Sequence, residues 1–209
     1  MKPKDHWQKI YATRAADDVG WYELDPMVSR TLVADAVAKG ARSVIDIGGG
    51  ASRLVDHLLD LEVERIAVVD ISANGLEVAR KRLGDRAARV RWIVADVTTI
   101  RDLGRFDVWH DRAVFHFLIE EADRQRYVRL AERTIRTGGV AIMATFAADG
   151  PERCSGLPVR RYDPEELDIE CGPGFRLEAS SRHLHTTPLG LPQSYQYSTF
   201  RRLDLAAAA

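Results

Sequence analysis

Two cysteines in 209 residues, Cys154 and Cys171, exclude a disulfide-rich scaffold, and their spacing fits neither a zinc site nor a redox pair. Both read as free thiols of a reducing cytoplasm. No apolar run approaches the roughly 20 residues that a membrane span needs. The N-terminus lacks the apolar segment of a signal peptide, so a cytoplasmic location is expected. An excess of one charge is missing as well, since 30 Lys and Arg stand against 31 Asp and Glu. With the signs interspersed, neither general nucleic-acid binding nor a membrane-surface role is expected. There is no internal repeat, and low complexity is confined to the Ala206–Ala209 tail, which is expected to fray. What remains is the length of a single domain with a substantial core.

The most informative stretch is Val-Ile-Asp-Ile-Gly-Gly-Gly-Ala-Ser-Arg-Leu at Val44–Leu54. It reads as a buried strand, Ser43–Ile47, entering a glycine turn and then a helix that Ser52 can cap. Glycines at 48, 49 and 50 permit positive φ and a close ligand approach. The dinucleotide fingerprint requires glycine at 53, where this chain has Arg53. The shorter pattern acid-x-Gly-x-Gly is met by Asp46, Gly48 and Gly50, which suits a ligand without a pyrophosphate. A turn that merely connects strand to helix is the bland alternative.

Against that alternative stands an acid at the end of the next strand. Arg65–Asp70 is nearly continuous and apolar, as for a strand buried on both faces. It closes on Asp70, twenty-four positions after Asp46, where a carboxylate can accept hydrogen bonds from both ribose hydroxyls of an adenosine. Val90–Ala95 is a third strand, ending in Asp96, whose carboxylate or adjoining amide can meet an adenine edge. Parallel strands would bring all three acids to one edge of the sheet.

The remaining chain alternates strand and helix. Lys4–Val19 reads as a short helix and loop, with His6, Trp7, Ile10 and Tyr11 on one face, either packed on the domain or acting as a lid. Trp21 and Tyr22 extend that aromatic set before a helix from Pro26 to Gly40. Phe106–His110 is a fourth strand leading into Asp111–Leu118, which gathers His110, Asp111, Arg112 and His116. A helix over Glu121–Ile135 and a strand over Val140–Phe146 follow, then a loop, Ala147–Pro158, and a short helix from Asp163. Phe175–His185 and Ser194–Leu203 read as an antiparallel pair. The pattern predicts an α/β fold, a mostly parallel sheet with right-handed crossovers and helices on both faces.

These motifs, together with Val-Val-Asp-Ile-Ser, Ala-Asp-Val, Phe-Asp-Val-Trp-His-Asp and Gly-Gly-Val-Ala-Ile-Met, resemble the class I, seven-stranded S-adenosylmethionine-dependent methyltransferases over about Pro26 to Leu203. The resemblance implies a Rossmann-like seven-stranded sheet closed by a C-terminal antiparallel pair. It implies a single domain, with residues 1–25 as N-terminal helix and candidate lid, 26–146 as cofactor core and 147–205 as acceptor side. It further implies that Gly48–Gly50 carry the cofactor's methionine part, Asp70 the ribose and Asp96 the adenine. The expected cofactor set is Asp46, Gly48, Gly49, Gly50, Ser52, Asp70, Ile71, Asp96, Val97, Asp111 and Arg112. Ser52 replaces the third glycine of the longer family motif. The resulting turn is similar to the Gly-Cys-Gly-Asn-Ser of a branch that includes protein-lysine methyltransferases, as are the N-terminal aromatics. That branch usually has Asp-Lys-Gly where this chain has Asp111-Arg112-Ala113.

The implied reaction is in-line attack of an N, O or S nucleophile on a sulfonium methyl. It needs no metal and depends chiefly on alignment. Where the nucleophile carries a proton, a base helps, and His116 is the first candidate, with His110 or Asp111 behind it. Packed or surface histidines are the equal alternative, and Asp111 suits orienting the cofactor's ammonium or the acceptor better than acting as base. Trp21, Tyr22, His116, Cys154 and His185 are candidates for the acceptor pocket. His183 and His185 share a strand face but with Cys154 supply no complete metal-ligand set. The expectation is a methyltransferase acting on a small molecule, with S-adenosylhomocysteine as product. A protein-lysine methyltransferase and a non-catalytic cofactor-binding subunit are the alternatives.

Overall fold

The computed structural model of the protein describes residues 2–204; the tail Ala206–Ala209, expected to fray, lies outside them. Strands Ser43–Ile47 (β1), Arg65–Asp70 (β2), Val90–Val94 (β3), Phe106–Arg112 (β4) and Ile135–Phe146 (β5) run parallel. Arg153–Cys154 (β6) and Leu157–Pro158 (β7) form a separate small hairpin. Phe175–Thr186 (β8) and Pro192–Arg202 (β9) are antiparallel, giving a seven-stranded sheet in the order β3-β2-β1-β4-β5-β9-β8. The helices are Pro3–Thr13 (α1), Met27–Ala38 (α2), Leu54–Leu58 (α3), Ala73–Leu83 (α4), Glu121–Thr134 (α5) and Pro164–Cys171 (α6). No described helix is long and apolar enough to cross a membrane.

Strand direction and burial follow from the same residues. β1 is buried at every position and β2 at all but its first, because helices cover both sheet faces. Val44, Val108 and Ile142 pack in one core cluster with Leu54, Leu58 and Leu76. Ile45, Trp109 and Ala141 turn to the other, with Tyr127, Leu130 and Leu167. The period of two along each strand sorts these side chains. The chain moves outward from β1 to β3 and then returns to β4 on β1's other side, so the sheet opens a crevice at the carboxyl ends of β1 and β4.

Local signals set several boundaries. Ser72 Oγ accepts the Gly75 N–H at 3.2 Å and starts α4, and Asp163 and Glu166 form a reciprocal capping box on α6. Other boundaries moved. β4 runs to Arg112 because Asp111 and Arg112 still find partners at Met143 and Ala144. β5 starts at Ile135 rather than Val140, with Ile135 paired to Phe106 across an irregularity. The turn joining β8 to β9 is shorter than expected, since Thr186 pairs with Pro192.

The segment that follows β4 is held from below by Arg124 of α5. Its guanidinium is 2.9 Å from Glu170 Oε2 and donates to the carbonyls of Leu118 and Ile119 at 3.2 and 2.8 Å. Only 6 % of Arg124 is exposed, so its removal leaves two carbonyls without their donor and Glu170 with Arg160 alone, at 3.4 Å. Arg124→Ala is expected to cost about 2 to 4 kcal/mol in urea unfolding. A change near zero would show that water replaces the guanidinium.

Candidate cofactor and acceptor site

The glycine turn lies at the crevice, and crowding defines it. Gly48 and Gly50 have φ of 68° and 41°, a region L side chains rarely adopt. A Cβ at Gly49 would come within 2.5 Å of both Asp46 Oδ2 and Val68 Cγ1, and one at Gly50 would strike the Tyr11 hydroxyl. Asp70 Oδ1 accepts the Ser72 N–H at 2.7 Å, leaving Oδ2 beside Gly50. Burial pushes the Asp70 carboxyl up to about 7; the amides of Ser72 and Gly50 oppose this and the charge of Asp46 adds to it. Asp96 Oδ1 takes the Thr98 N–H and hydroxyl at 2.8 and 2.6 Å, leaving Oδ2 without a hydrogen bond among the described residues.

Asp70, Ile71, Asp96 and Val97 line one cavity of about 370 Å³, which also reaches Gly48 and Arg112. Asp46 does not line it. Its carboxylate lies beneath the turn, 2.7 Å from His110 Nδ1, and His110 Nε2 is 2.9 Å from Ser29 Oγ. Ser29 is 3.3 Å from the Tyr197 hydroxyl. This buried chain, with Gly49 and Ser52, borders a second void of about 50 Å³ behind the turn. Ser52 Oγ accepts the Leu54 N–H at 3.1 Å at the start of α3.

The cluster after β4 divides. Asp111 Oδ1 accepts the Val114 N–H at 2.8 Å, and Oδ2 accepts the Phe115 N–H at 3.1 Å and the Tyr127 hydroxyl. It faces α5, away from the cavity, and burial pushes it up to about 6 against those hydrogen bonds and the charge of His110. His116 is fully buried and accepts the Phe146 N–H on Nδ1 at 3.3 Å. Burial, joined by the charge of Arg112, pushes it down to about 3, so it is neutral at pH 7. Phe117 lines the cavity and packs edge-on against the His116 ring at 4.5 Å.

Arg112 lines the cavity and secures the N-terminal segment. It donates to the Trp21 carbonyl at 2.8 Å and to Glu23 Oε1 at 2.9 Å. His185 completes that latch rather than reaching the cavity: Nδ1 is 3.3 Å from Glu23 and Nε2 is 2.9 Å from the Gly20 carbonyl. Burial opposes ionisation of Glu23, but the His185 hydrogen bond and the charges of Arg112, His185 and His183 outweigh it and hold the carboxyl below its ordinary value. Farther forward, Gln8 of α1 accepts from the Ser72 hydroxyl and the Asn74 N–H at 2.9 and 3.0 Å. Trp7 packs edge-on against Trp21 and Phe117 at 5.5 and 5.1 Å. Trp7, Tyr11 and Trp21 thus wall the cavity, whereas Tyr22 borders the smaller void. Cys154 lines the cavity as a thiol, pushed up to about 12 by burial against the charge of Arg112.

Sequence reasoning did not single out Gln8, Glu23 or Phe117 for the site. Gln8 lies between Trp7 and Tyr11, so helical spacing could have flagged it; Glu23 carried no local signal. Among the described residues no group of three or more His, Cys, Asp or Glu could hold a metal ion.

The arrangement is the class I S-adenosylmethionine-dependent methyltransferase fold, with its crevice at the expected strand ends. Residues 44–139 match the methyltransferase domain family. Similar solved structures include one described for conversion of a disulfide bond into a thioacetal group during echinomycin biosynthesis, with 18% identity and TM-score 0.75 over 99% of this chain and 96% of that one. Burkholderia thailandensis 1,6-didemethyltoxoflavin-N1-methyltransferase, with its substrate and S-adenosylhomocysteine bound, has 20% identity and TM-score 0.68 over 96% and 84%. The N-methyltransferase NodS from Bradyrhizobium japonicum WM9, with S-adenosylhomocysteine, has 13% identity and TM-score 0.73 over 96% and 100%. No curated protein matches the sequence.

Glu23→Gln removes the charge that Arg112 and His185 share. Trypsin cleavage after Arg14, between α1 and α2, is expected to accelerate severalfold in this variant. Cleavage at the wild-type rate would show that the latch does not hold the segment.

Proposed function

We propose that the chain methylates an N, O or S nucleophile of a small molecule held in the 370 Å³ cavity. The observation that carries this reading is the wall formed by Trp7, Tyr11 and Trp21, which turns the crevice into a chamber. Gly48–Gly50 suit the methionine part of the cofactor, because a Cβ at Gly49 or Gly50 would already collide with the protein. Asp70 Oδ2, beside Gly50, suits the ribose hydroxyls. Asp96 Oδ2 and the Val97 amide suit the adenine edge. The Burkholderia thailandensis structure supports a small acceptor, since it holds 1,6-didemethyltoxoflavin beside S-adenosylhomocysteine.

When bound, the cofactor supplies a methyl group on a sulfonium whose departure leaves a neutral thioether. The protein's part is to align the acceptor and exclude water. Trp7, Trp21 and Phe117 do this by surrounding the chamber with rings. Neither candidate base after β4 faces it: His116 sits behind Phe117 with its proton affinity suppressed, and both Asp111 oxygens are occupied. An acceptor whose lone pair is available at pH 7, such as a neutral amine or ring nitrogen, suits this chamber. His110 acts through Asp46, fixing the carboxylate beneath the turn. The protein-lysine reading draws on the Ser52 turn and the N-terminal aromatics, but the Ser52 hydroxyl serves the start of α3 and Trp7, Tyr11 and Trp21 wall the chamber.

Methyl-labelled cofactor incubated with the protein and fractionated lysate separates these readings. Label is expected in the filtrate; label retained on protein would favour a lysine acceptor. Failure to bind S-adenosylhomocysteine in calorimetry would end the methyltransferase reading. Asp70 supplies a pH test. Ribose hydroxyls need its ionised carboxylate, so S-adenosylhomocysteine affinity is expected to rise as pH passes through about 7. In the ligand-free protein the sign reverses. Asp70 holds its proton more tightly folded than unfolded, so its contribution to stability is lost as pH rises from about 4 to about 7. His116, shifted down to about 3, contributes the opposite trend below about 6.5. Comparing thermal midpoints of wild type and Asp70→Asn across this range isolates the Asp70 contribution; parallel curves would contradict it.

A further inference from the structure

Four aromatic rings border the chamber in a series that starts at the glycine turn. The Tyr11 ring lies against Gly75 and its hydroxyl against Gly50. From there Tyr11 meets Trp21 at 6.3 Å, Trp21 meets Trp7 at 5.5 Å, and Trp7 meets Phe117 at 5.1 Å. The interplanar angles are 79°, 81° and 76°, and all four residues line the same cavity. Rings set nearly at right angles turn faces as well as edges to the space they share, and each face is the negative side of the ring's quadrupole. Such a box attracts a cation without hydrogen-bond donors, as a quaternary ammonium is.

The charges around the chamber favour the same occupant. Elsewhere aromatic faces are already taken: Arg65 lies over Phe106 at 4.3 Å, Arg160 over Tyr162 at 5.3 Å and Arg202 over Phe175 at 5.7 Å. Among the described residues, no Lys or Arg lies over any of the four chamber rings. Arg112 is the only Lys or Arg that lines the cavity among the described residues. Its guanidinium is committed to Glu23 at 2.9 Å and to the Tyr195 face at 4.6 Å. Against that one cation the lining carries Asp70 and Asp96 at the ends of β2 and β3, and Glu120 and Asp123 at the start of α5. Asp123 shares its charge with Arg126 at 2.6 Å.

We infer that Trp7, Tyr11, Trp21 and Phe117 form a cation site, and that the methyl acceptor is an uncharged nitrogen with no proton to lose. A tertiary amine or a pyridine-type ring nitrogen meets that description, and its product is an N-methylated cation. This inference rests on the methyl-transfer reading and adds the substrate class. The nitrogen lone pair forms the new N–C bond as the C–S bond breaks, and that bond's electron pair stays on sulfur as the neutral thioether. One positive charge passes from sulfur to nitrogen and no proton leaves, so the rings face a cation before and after the step. A hydroxyl or thiol acceptor would shed a proton and end uncharged, forfeiting that attraction. Neither His116, behind Phe117, nor Asp111, with both oxygens occupied, faces the chamber to take such a proton.

The test uses full-length protein saturated with S-adenosylhomocysteine and two probes of one shape that differ in charge, 4-(trimethylammonio)phenol and 4-tert-butylphenol. Calorimetry is expected to show the cation binding about tenfold tighter or more. Replacing tryptophan by fluorinated tryptophan keeps the shape of Trp7 and Trp21 while draining negative charge from their faces. Trp92 and Trp109 take the label too, but Trp109 packs against Tyr127 and Trp92 donates to the Ala87 carbonyl at 3.0 Å, away from the cavity. Affinity for the cation should fall severalfold, stepwise with each added fluorine, while affinities for 4-tert-butylphenol and S-adenosylhomocysteine hold. Equal affinity for the two probes, or binding of neither, would overturn the inference. So would a preference indifferent to fluorination, which would assign it to the carboxylates of the lining instead. Those results leave the methyltransferase reading standing, whereas loss of S-adenosylhomocysteine binding in the unlabelled protein removes both.

Discussion

No side chain fits where Asp46, Val68 and Tyr11 converge on residues 49 and 50. That close approach lets β1 end against a ligand. The Asp46 carboxylate fills the space below the turn and is fixed there by His110 and Ser29. Above the turn, the Tyr11 hydroxyl and Asp70 Oδ2 occupy the side from which the cofactor would be held. The polar chain from Asp46 to Tyr197 joins β1, β4, α2 and β9, so the turn is referenced to four elements at once.

Burial of charge governs the rest of the site. Asp70 and Asp111 both sit in the interior and both have raised carboxyl values, yet their surroundings give them different work. Asp111 has every oxygen filled by Tyr127 and two backbone amides, so it organises the turn after β4. Asp70 keeps one oxygen beside the glycine turn and lines the cavity. His116 is deprived of charge by burial. The same interior makes the Cys154 thiol inert.

The N-terminal segment connects this chemistry to the fold's outer layer. Gln8 binds the start of α4, Glu23 binds β4 and β8 through Arg112 and His185, and the rings of Trp7, Tyr11 and Trp21 span the gap between these anchors. A segment with few buried apolar residues is thereby positioned by polar contacts to the sheet.

Much of the sheet was legible along the chain, because strand burial, glycine turns and capping residues are local signals. Continuous apolar runs marked β1 and β2, and the acids at 46, 70 and 96 marked the edge where they end. Those features depend on a few consecutive residues and on a period of two, so the sequence by itself determined the α/β class, the parallel run of strands and the sheet edge at which Asp70 and Asp96 line the cavity. Which way a polar side chain points, and what answers it, depends on elements far apart in the chain. Only the tertiary structure decided that Asp46 pairs with His110 beneath the turn, that Asp111 and His116 lie behind the cavity wall, and that His185 reaches Glu23 instead of an acceptor. The reason is physical: local patterns set which face a residue occupies, whereas hydrogen-bond partners and desolvation are set by what packs against that face.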